Sequence, residues 1–215
     1  MNKVIAAASN ETRASSVYYE LKGDILNGKL KPGSKLRLAV LKSDYNVGNS
    51  PLREALTRLS ANGMVVREEN KGFRVSPASV DELKEIIRTR CWLEEIALRQ
   101  SIRNADDAYD ERIVLAVHRL SRANRENVKV QEDLHREFHF SLISACNSQL
   151  MLTYCTKLYE QTIRYRNLSA VVEYREGHEA IRDAILAREE DKAVQLLLSH
   201  YHMIGEILID SGGLT

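Results

Sequence analysis

The sequence predicts a mainly α protein of two parts. An N-terminal winged helix-turn-helix with a small β-hairpin wing spans 1–77, and an all-α bundle of about six helices spans 78–215. Three observations carry the prediction. A short amphipathic helix near 49–62, with its own start and stop signals, follows two shorter helical runs. Two β-prone runs then meet at Asn70-Lys71-Gly72. From Val80 onward the apolar period is helical, with no strand-like interruption. Charge divides at the same boundary: residues 1–77 hold 13 Lys and Arg against 7 Asp and Glu, a surplus of six, within a chain of net charge +1. A basic front and an acidic rear point to different partners.

Residues 1–13 lack periodicity. Val17, Tyr18, Leu21, Ile25 and Leu26 then fall at helical spacing, and Gly28 ends the run. Lys31-Pro32-Gly33 is a turn. A second helix is expected from Leu36 to Tyr45, with Leu38 and Leu41 inward. After Asn46-Val47-Gly48-Asn49, Ser50 is the expected N-cap and Pro51 the first helical residue, where a missing N–H is harmless. Leu52, Ala55, Leu56 and Leu59 share one face, and Asn62-Gly63 stops the helix. Met64–Glu69 and Gly72–Val75 form the hairpin. The rear helices are expected near 80–102, 106–125, 128–145, 148–167, 172–188 and 190–210. Their breaks fall at Asn104, Asn127, Asn147, Ser169 and Glu189–Asp191.

Composition narrows the function. The 215 residues are 44% hydrophobic, with neither a membrane-spanning apolar run nor a signal-peptide pattern, so the cytoplasm is the expected location and no membrane partner is expected. Cys91, Cys146 and Cys155 are odd in number and widely spaced, as reduced core residues are. The third helix, with a polar start and a basic outer side, suits the DNA major groove. Arg53 and Arg58 project from it, and Ser50 with the helix-start N–H groups can hold a phosphate. Arg37 can contact the backbone on the other side of the groove. Lys71, beside Gly72 at the wing tip, can reach phosphate or the minor groove. Taken singly, surface arginines are usually only solvated; the helix-turn-helix and wing together favour DNA.

Pro32-Gly33…Leu36, Leu41, Val47-x-x-Ser50-Pro51-Leu52-Arg53-Glu54-Ala55-Leu56-x-x-Leu59, Gly63 and Gly72-Phe73-x-Val75 together resemble the winged helix of the GntR superfamily of bacterial regulators. Arg90-x-x-Leu93-Glu94-x-x-Ala97, Phe138-His139-x-x-Leu142 with Asn147, and His178 with His200 resemble the FCD-type effector domain of its fatty-acid-regulator branch. The context of Lys35-Leu36-Arg37 and Pro51–Leu56 is most similar to regulators of glutarate and 4-aminobutyrate use. The resemblance implies a homodimer on a two-fold double-stranded DNA operator, a small organic acid as effector, and a divalent metal. It also implies that Arg53 contacts DNA. The chain departs from the family pattern twice. Asn49 stands where the family has a guanine-reading Arg, and suits adenine or phosphate instead. His135 stands where the family has Asp or Asn.

Geometry selects the same histidines. His135 and His139, four apart, share a helix face with Leu142 and Cys146. His178 and His200 each lie eleven residues from Glu189, so a hairpin turning there sets them at one height, about 16 Å from the turn. His200 shares the apolar stripe of Leu197 and Ile204, whereas His202 falls on the polar side. A lone histidine on an apolar stripe is usually a satisfied core residue. Four converging imidazoles are hard to satisfy without a cation, and they suit zinc or nickel, with copper also compatible. Arg90 is a candidate anchor for an acid's far end, unless it only pairs with Glu94 in an i,i+4 contact. Arg164 and Arg166 are further candidates, and Asn147 joins the effector residues through its motif.

The expected function is therefore a ligand-responsive regulator of organic-acid metabolism, acting as a repressor, with a carboxylate bound at the metal. The alternatives are a sensor in which the ion is the signal, and a metal-dependent enzyme. The last is disfavoured because Glu137 faces away from the histidines, and Glu132 and Asp133 are poorly placed as bases.

Overall fold

In the computed structural model, residues 12–124, 127–168 and 177–211 are described. The chain divides into two compact units, Met1–Ala78 and Ser79–Thr215. The first is a winged helix. Helix α1 (Arg13–Leu26) is capped by Thr12, whose hydroxyl accepts from Ser15 N–H, and it buries Val17, Tyr18, Leu21 and Ile25. Strand β1 (Lys35–Leu36) precedes α2 (Leu38–Asp44) and α3 (Asn49–Ala61). Strands β2 (Val65–Glu68) and β3 (Gly72–Val75) complete a three-stranded sheet in the order β1-β3-β2.

Two local expectations are corrected here. The wing is not a lone hairpin, because Leu36 pairs antiparallel with Phe73 and Lys35 with Arg74. That pairing takes Leu36 out of the expected second helix, which starts at Leu38 behind an extended Arg37. The cap of α3 is Gly48, not Ser50, with no side-chain cap bond. Asn49, Ser50 and Pro51 thus form the first turn, whose N–H groups have no helical partner in any case, so Pro51 still forfeits nothing. The first backbone bond of the helix runs from Leu52 N–H to Gly48 C=O at 3.3 Å.

Leu52, Leu56 and Leu59 of α3 are fully buried against α1 and the sheet residues Phe73 and Val75. Each such side chain contributes about 1.5–3 kcal/mol on leaving water. The opposite face of α3 is left to solvent. Asn70, at φ +57°, and Gly72, at φ +94°, make the tight turn at the wing tip.

The second unit contains six helices among the described residues: α4 (Val80–Arg103), α5 (Asp107–Ser121), α6 (Val128–Ile143), α7 (Gln149–Leu168), α8 (His178–Leu186) and α9 (Glu190–Asp210). Ser79, Asp106 and Asn127 cap α4, α5 and α6 through side-chain bonds to backbone N–H groups. The expected break at Ser169 and the expected start of α8 at 172 lie outside the described residues. Asn147, at φ +56°, turns the chain between α6 and α7, and Arg188, at φ +59°, turns it between α8 and α9.

Helix α4 packs on α6, α7 and α9, while α5 packs on α6 and α8. Helices α4 and α9 meet along a long seam. At one end Arg99 and Arg103 donate to Glu190, at 2.9 and 2.7 Å. At the other end α9 comes so near that a Cβ on Gly205 would stand 2.5 Å from Ile87 Cδ1. No helix among the described residues is long and apolar enough to cross a membrane.

Candidate functional sites

In the winged helix, α3 presents Asn49, Ser50, Arg53, Glu54 and Thr57 to solvent. Thr57 bonds back to Arg53 C=O at 2.8 Å. Arg37 is exposed at the head of α2, and Lys71 and Gly72 are exposed at the wing tip. Pro51 is half-buried and shapes the helix start. Arg58 differs from the others. Its guanidinium lies 4.2 Å from the centre of the Tyr18 ring and donates to Ser15 Oγ at 3.2 Å. It braces α3 against α1, where a cation over an aromatic face contributes about 0.5–2 kcal/mol.

In the helical unit the sequence brings His135 and His139 (α6), His178 (α8) and His200 (α9) to one point. All four are buried, and one ring nitrogen from each lies within 4.8 Å of the others. The His178 and His200 rings are 4.9 Å apart, as a hairpin turning at Arg188–Glu189 requires. The two α6 histidines approach still more closely, with Nε2 atoms at 3.1 Å.

Tyrosine–carboxylate pairs stand behind two of these rings. His139 Nδ1 lies 3.1 Å from Tyr201 Oη, and Tyr201 donates its proton to Glu94 Oε2 at 2.5 Å. His135 Nδ1 lies 3.1 Å from Tyr159 Oη, and Tyr159 donates to Glu132 Oε1 at 2.9 Å. These tyrosine–carboxylate pairs are the functional residues the sequence reading missed. Tyr159 and Tyr201 lie on apolar stripes and look like ordinary core. The available signal was that each has a carboxylate-bearing helix as its neighbour.

Arg90 donates to Glu94 at 2.9 Å and to Thr162 at 3.2 Å, so the i,i+4 pairing is present. Its Nη2, however, has no partner among the described residues, though fully buried. Burial works against the Arg90 charge and Glu94 outweighs it, so the guanidinium stays cationic. A small cavity is lined by Ile87, Arg90, His135, His139, Thr162, Arg166, Tyr201 and Ile204. Arg166 thus joins Arg90 at the histidines, paired with Glu132 at 2.8 Å. Asn147 does not reach this cavity: it is exposed and serves as the left-handed residue of the α6–α7 turn. Arg164 is also drawn elsewhere, to Glu82 at 3.2 Å. Glu137 faces away and pairs with Arg119 at 2.8 Å.

The four imidazoles fit a cation. Burial holds His135 and His139 well below the ordinary histidine range, with Arg166 adding to the effect at His135 and His135 itself at His139. Burial, then Arg166, lowers His178 to about 4. All three are therefore neutral donors near neutral pH. His178 Nε2 is buried with no partner among the described residues, which a ligand role would explain. Nitrogens about 2.0–2.1 Å from a tetrahedral ion stand about 3.3 Å from one another, close to the spacing of the α6 pair.

One consequence concerns stability in the presence of a chelator. His178 titrates near 6.5 when unfolded and near 4 when folded. Between those values the unfolded chain binds the extra proton. Stability is therefore complete above about pH 6.5 and declines as pH falls toward 4, by up to about 1.4 kcal/mol per pH unit for this group. His135 and His139 act in the same direction. The urea midpoint of chelator-treated protein should drop between pH 7 and pH 5, and a His178→Leu variant should drop less. Equal slopes would contradict a buried, neutral His178.

Comparison with known proteins adds the following. The model for bacterial regulatory proteins of the gntR family matches residues 13–75, and the FCD domain model matches residues 85–203. The chain is 37% identical over 208 residues to the HTH-type transcriptional regulator BphR of Paraburkholderia xenovorans (strain LB400), covering 91% of this chain and 85% of that one. It is 30% identical over 197 residues to the HTH-type transcriptional repressor GlaR of Escherichia coli (strain K12), covering 85% and 90%. The structure of E. coli McbR/YncC superposes with a TM-score of 0.75 at 20% identity, over 93% of this chain and 98% of that one. A GntR regulator from Rhodococcus sp. RHA1 gives 0.73 at 20% identity, over 92% and 98%. These two superpositions speak to the fold.

Proposed function

Because this chain belongs to the GntR family of bacterial regulatory proteins, with an FCD domain behind its winged helix, it is a DNA-binding transcriptional regulator, and we propose that a small carboxylate bound at a metal site governs its operator binding. The observation that carries the proposal is the cluster of buried His135, His139, His178 and His200 beside the cationic Arg90 and Arg166. Four imidazoles select a borderline ion, zinc or nickel, over magnesium or calcium. They bring no negative charge, so the bound ion keeps its full pull on an anion. One carboxylate of the acid would lie near the ion, and the other would meet Arg90 Nη2.

Arg53, with Asn49, Ser50 and Arg37, reads the major groove, and Lys71 and Gly72 meet the backbone. The protein acts as a homodimer on a two-fold operator, one winged helix per half-site. Arg90 sits on α4, the helix that opens the second unit, so an acid bound there acts on the element nearest the winged helix in the chain. Repression of organic-acid genes fits this arrangement, and the relative GlaR is itself named a repressor.

A second reading draws on the same ligands. Four histidines fill a tetrahedral shell, as in closed sites, so the ion alone would be the signal. A thermal-shift screen of C2–C6 organic acids, with zinc or with a chelator, separates the two. An acid at a hundred times its Kd should stabilise the zinc-loaded protein by about 2.7 kcal/mol, or several degrees. A response to zinc with none to any acid favours the sensor.

A further inference from the structure

Thr57 is an uncharged residue in the middle of the exposed face of α3. Asn49, Ser50, Arg53, Glu54 and Thr57 stand open to solvent, while Leu52, Ala55, Leu56 and Leu59 are buried. At 3.6 residues per turn, Thr57 falls near the midline of that face, about 40° from Arg53 on one side and about 60° from Glu54 on the other. It also lies about 6 Å further along the helix than Arg53. Arg58, the next residue, is turned away to Tyr18 and Ser15 of α1.

The hydroxyl of Thr57 is already in use. Oγ1 donates to Arg53 C=O at 2.8 Å, so its single proton is committed within the helix. Thr89, Thr153, Thr156 and Thr162 make the same back-bond in the second unit, which marks it as a local property of helical threonine. A β-branched side chain is stiff at χ1, so the bond that fixes the hydroxyl also fixes the other branch on Cβ. With Oγ1 turned back along the helix, that methyl group is what Thr57 offers to a surface lying against α3. In the major groove guanine and adenine show acceptors that need a donor, and Thr57 has none to give. Thymine shows a 5-methyl group, the one apolar feature of the groove, and a methyl meets it by excluding water.

We propose that Thr57 is a specificity-determining residue for operator recognition: its methyl group packs on the 5-methyl group of a thymine that lies one or two base pairs from the base read by Arg53. The spacing follows from about 6 Å along the helix against about 3.4 Å per base pair. Thr57 thereby adds sequence information with neither a charge nor a donated hydrogen bond, and it separates thymine from cytosine, which has no methyl there. The contact rests on the placement of α3 in the major groove proposed above, and it requires neither metal nor acid.

The test uses full-length protein and a duplex that the wild type selects from a randomised pool. Each thymine of the duplex is replaced singly by uracil, which keeps the base pair and removes only the methyl group. Binding is titrated by fluorescence anisotropy for wild type, Thr57→Ser, Thr57→Val and Arg53→Ala. Ser keeps the hydroxyl without the methyl, and Val keeps the methyl without the hydroxyl. Their helix propensities are close to that of Thr, and circular dichroism checks that the fold is kept. One thymine in each half-site should show a uracil penalty of about fourfold in wild type, the worth of about one buried methyl group. Thr57→Ser should bind the thymine duplex as weakly as wild type binds the uracil duplex, with no further penalty at that position. Thr57→Val should keep the penalty. The salt dependence of binding should be the same for wild type and Thr57→Ser, since no phosphate contact is lost. A selected duplex in which no thymine shows a penalty, or a penalty that persists in Thr57→Ser, would overturn the thymine contact. So would loss of binding in Thr57→Val with no cost from uracil, which would make the hydroxyl the reader. If those results came with Arg53→Ala losing the duplex, the placement of α3 would stand and the Thr57 contact alone would fall. If Arg53→Ala bound as well as wild type, α3 would not lie in the groove and both would fall.

Discussion

Arg53→Ala should remove specific operator binding and leave the winged helix folded. Arg53 is exposed, and none of the core contacts of Leu52, Leu56 and Leu59 involve it, so the loss of stability should stay within about 0.5 kcal/mol. A bidentate arginine–base contact is worth about 1–3 kcal/mol, and a dimer on a two-fold site loses two. Affinity should therefore fall by about 30-fold to 10⁴-fold. A gel-shift titration at fixed salt, with circular dichroism as the folding control, checks both halves. Arg58→Ala should show the reverse: a clear drop in thermal midpoint, because the Tyr18 and Ser15 contacts go, and a smaller effect on DNA. Equal binding by wild type and Arg53→Ala would remove Arg53 from the interface.

His178→Leu should abolish tight zinc binding and leave the metal-free protein as stable as before, or more so. Its Nε2 is buried without a partner among the described residues, and its ring lies 4.6 Å from that of Phe138. Leucine puts apolar volume in that place and removes an unsatisfied polar atom, an exchange that ranges from neutral to stabilising. Supporting residues around metal sites are worth about 10–100-fold in affinity, so loss of a ligand should exceed that range. Elemental analysis after dialysis should find about one zinc per wild-type chain and far less in the variant. Urea midpoints in chelator compare the metal-free forms. Full zinc occupancy in His178→Leu would exclude it as a ligand.

Much of this was legible in the residue pattern because the determinants are local. The i,i+4 spacing of His135 and His139, and the eleven residues on either side of Glu189, lead directly to the rings seen side by side. What could not be read depends on distant partners. Leu36 carries no mark that it will pair with Phe73, so it was assigned to a helix. Ser50 has the right chemistry for a cap, but the chain enters α3 two residues earlier, at Gly48. Arg58 has a groove-facing residue type, but Tyr18, forty positions away, takes its guanidinium. Asn147 was read for its motif, whereas its left-handed backbone explains its presence as a turn. Tyr159 and Tyr201 were invisible because an apolar stripe does not reveal that a hydroxyl at its edge meets a carboxylate on another helix.

The seam between α4 and α9 has a mechanical consequence. Ile87 lies against Gly205, where an added Cβ would stand 2.5 Å from Ile87 Cδ1, and two turns further along α4 Glu94 holds Tyr201. At the far end Arg99 and Arg103 hold Glu190. Sliding one helix by a single 1.5 Å step would drive Ile87 into the neighbouring side chains of α9 and misplace all these bonds together. The two helices therefore behave as a keyed shaft, free to tilt as a unit but not to slip. A shift of α9 at His200 would then carry α4 with it.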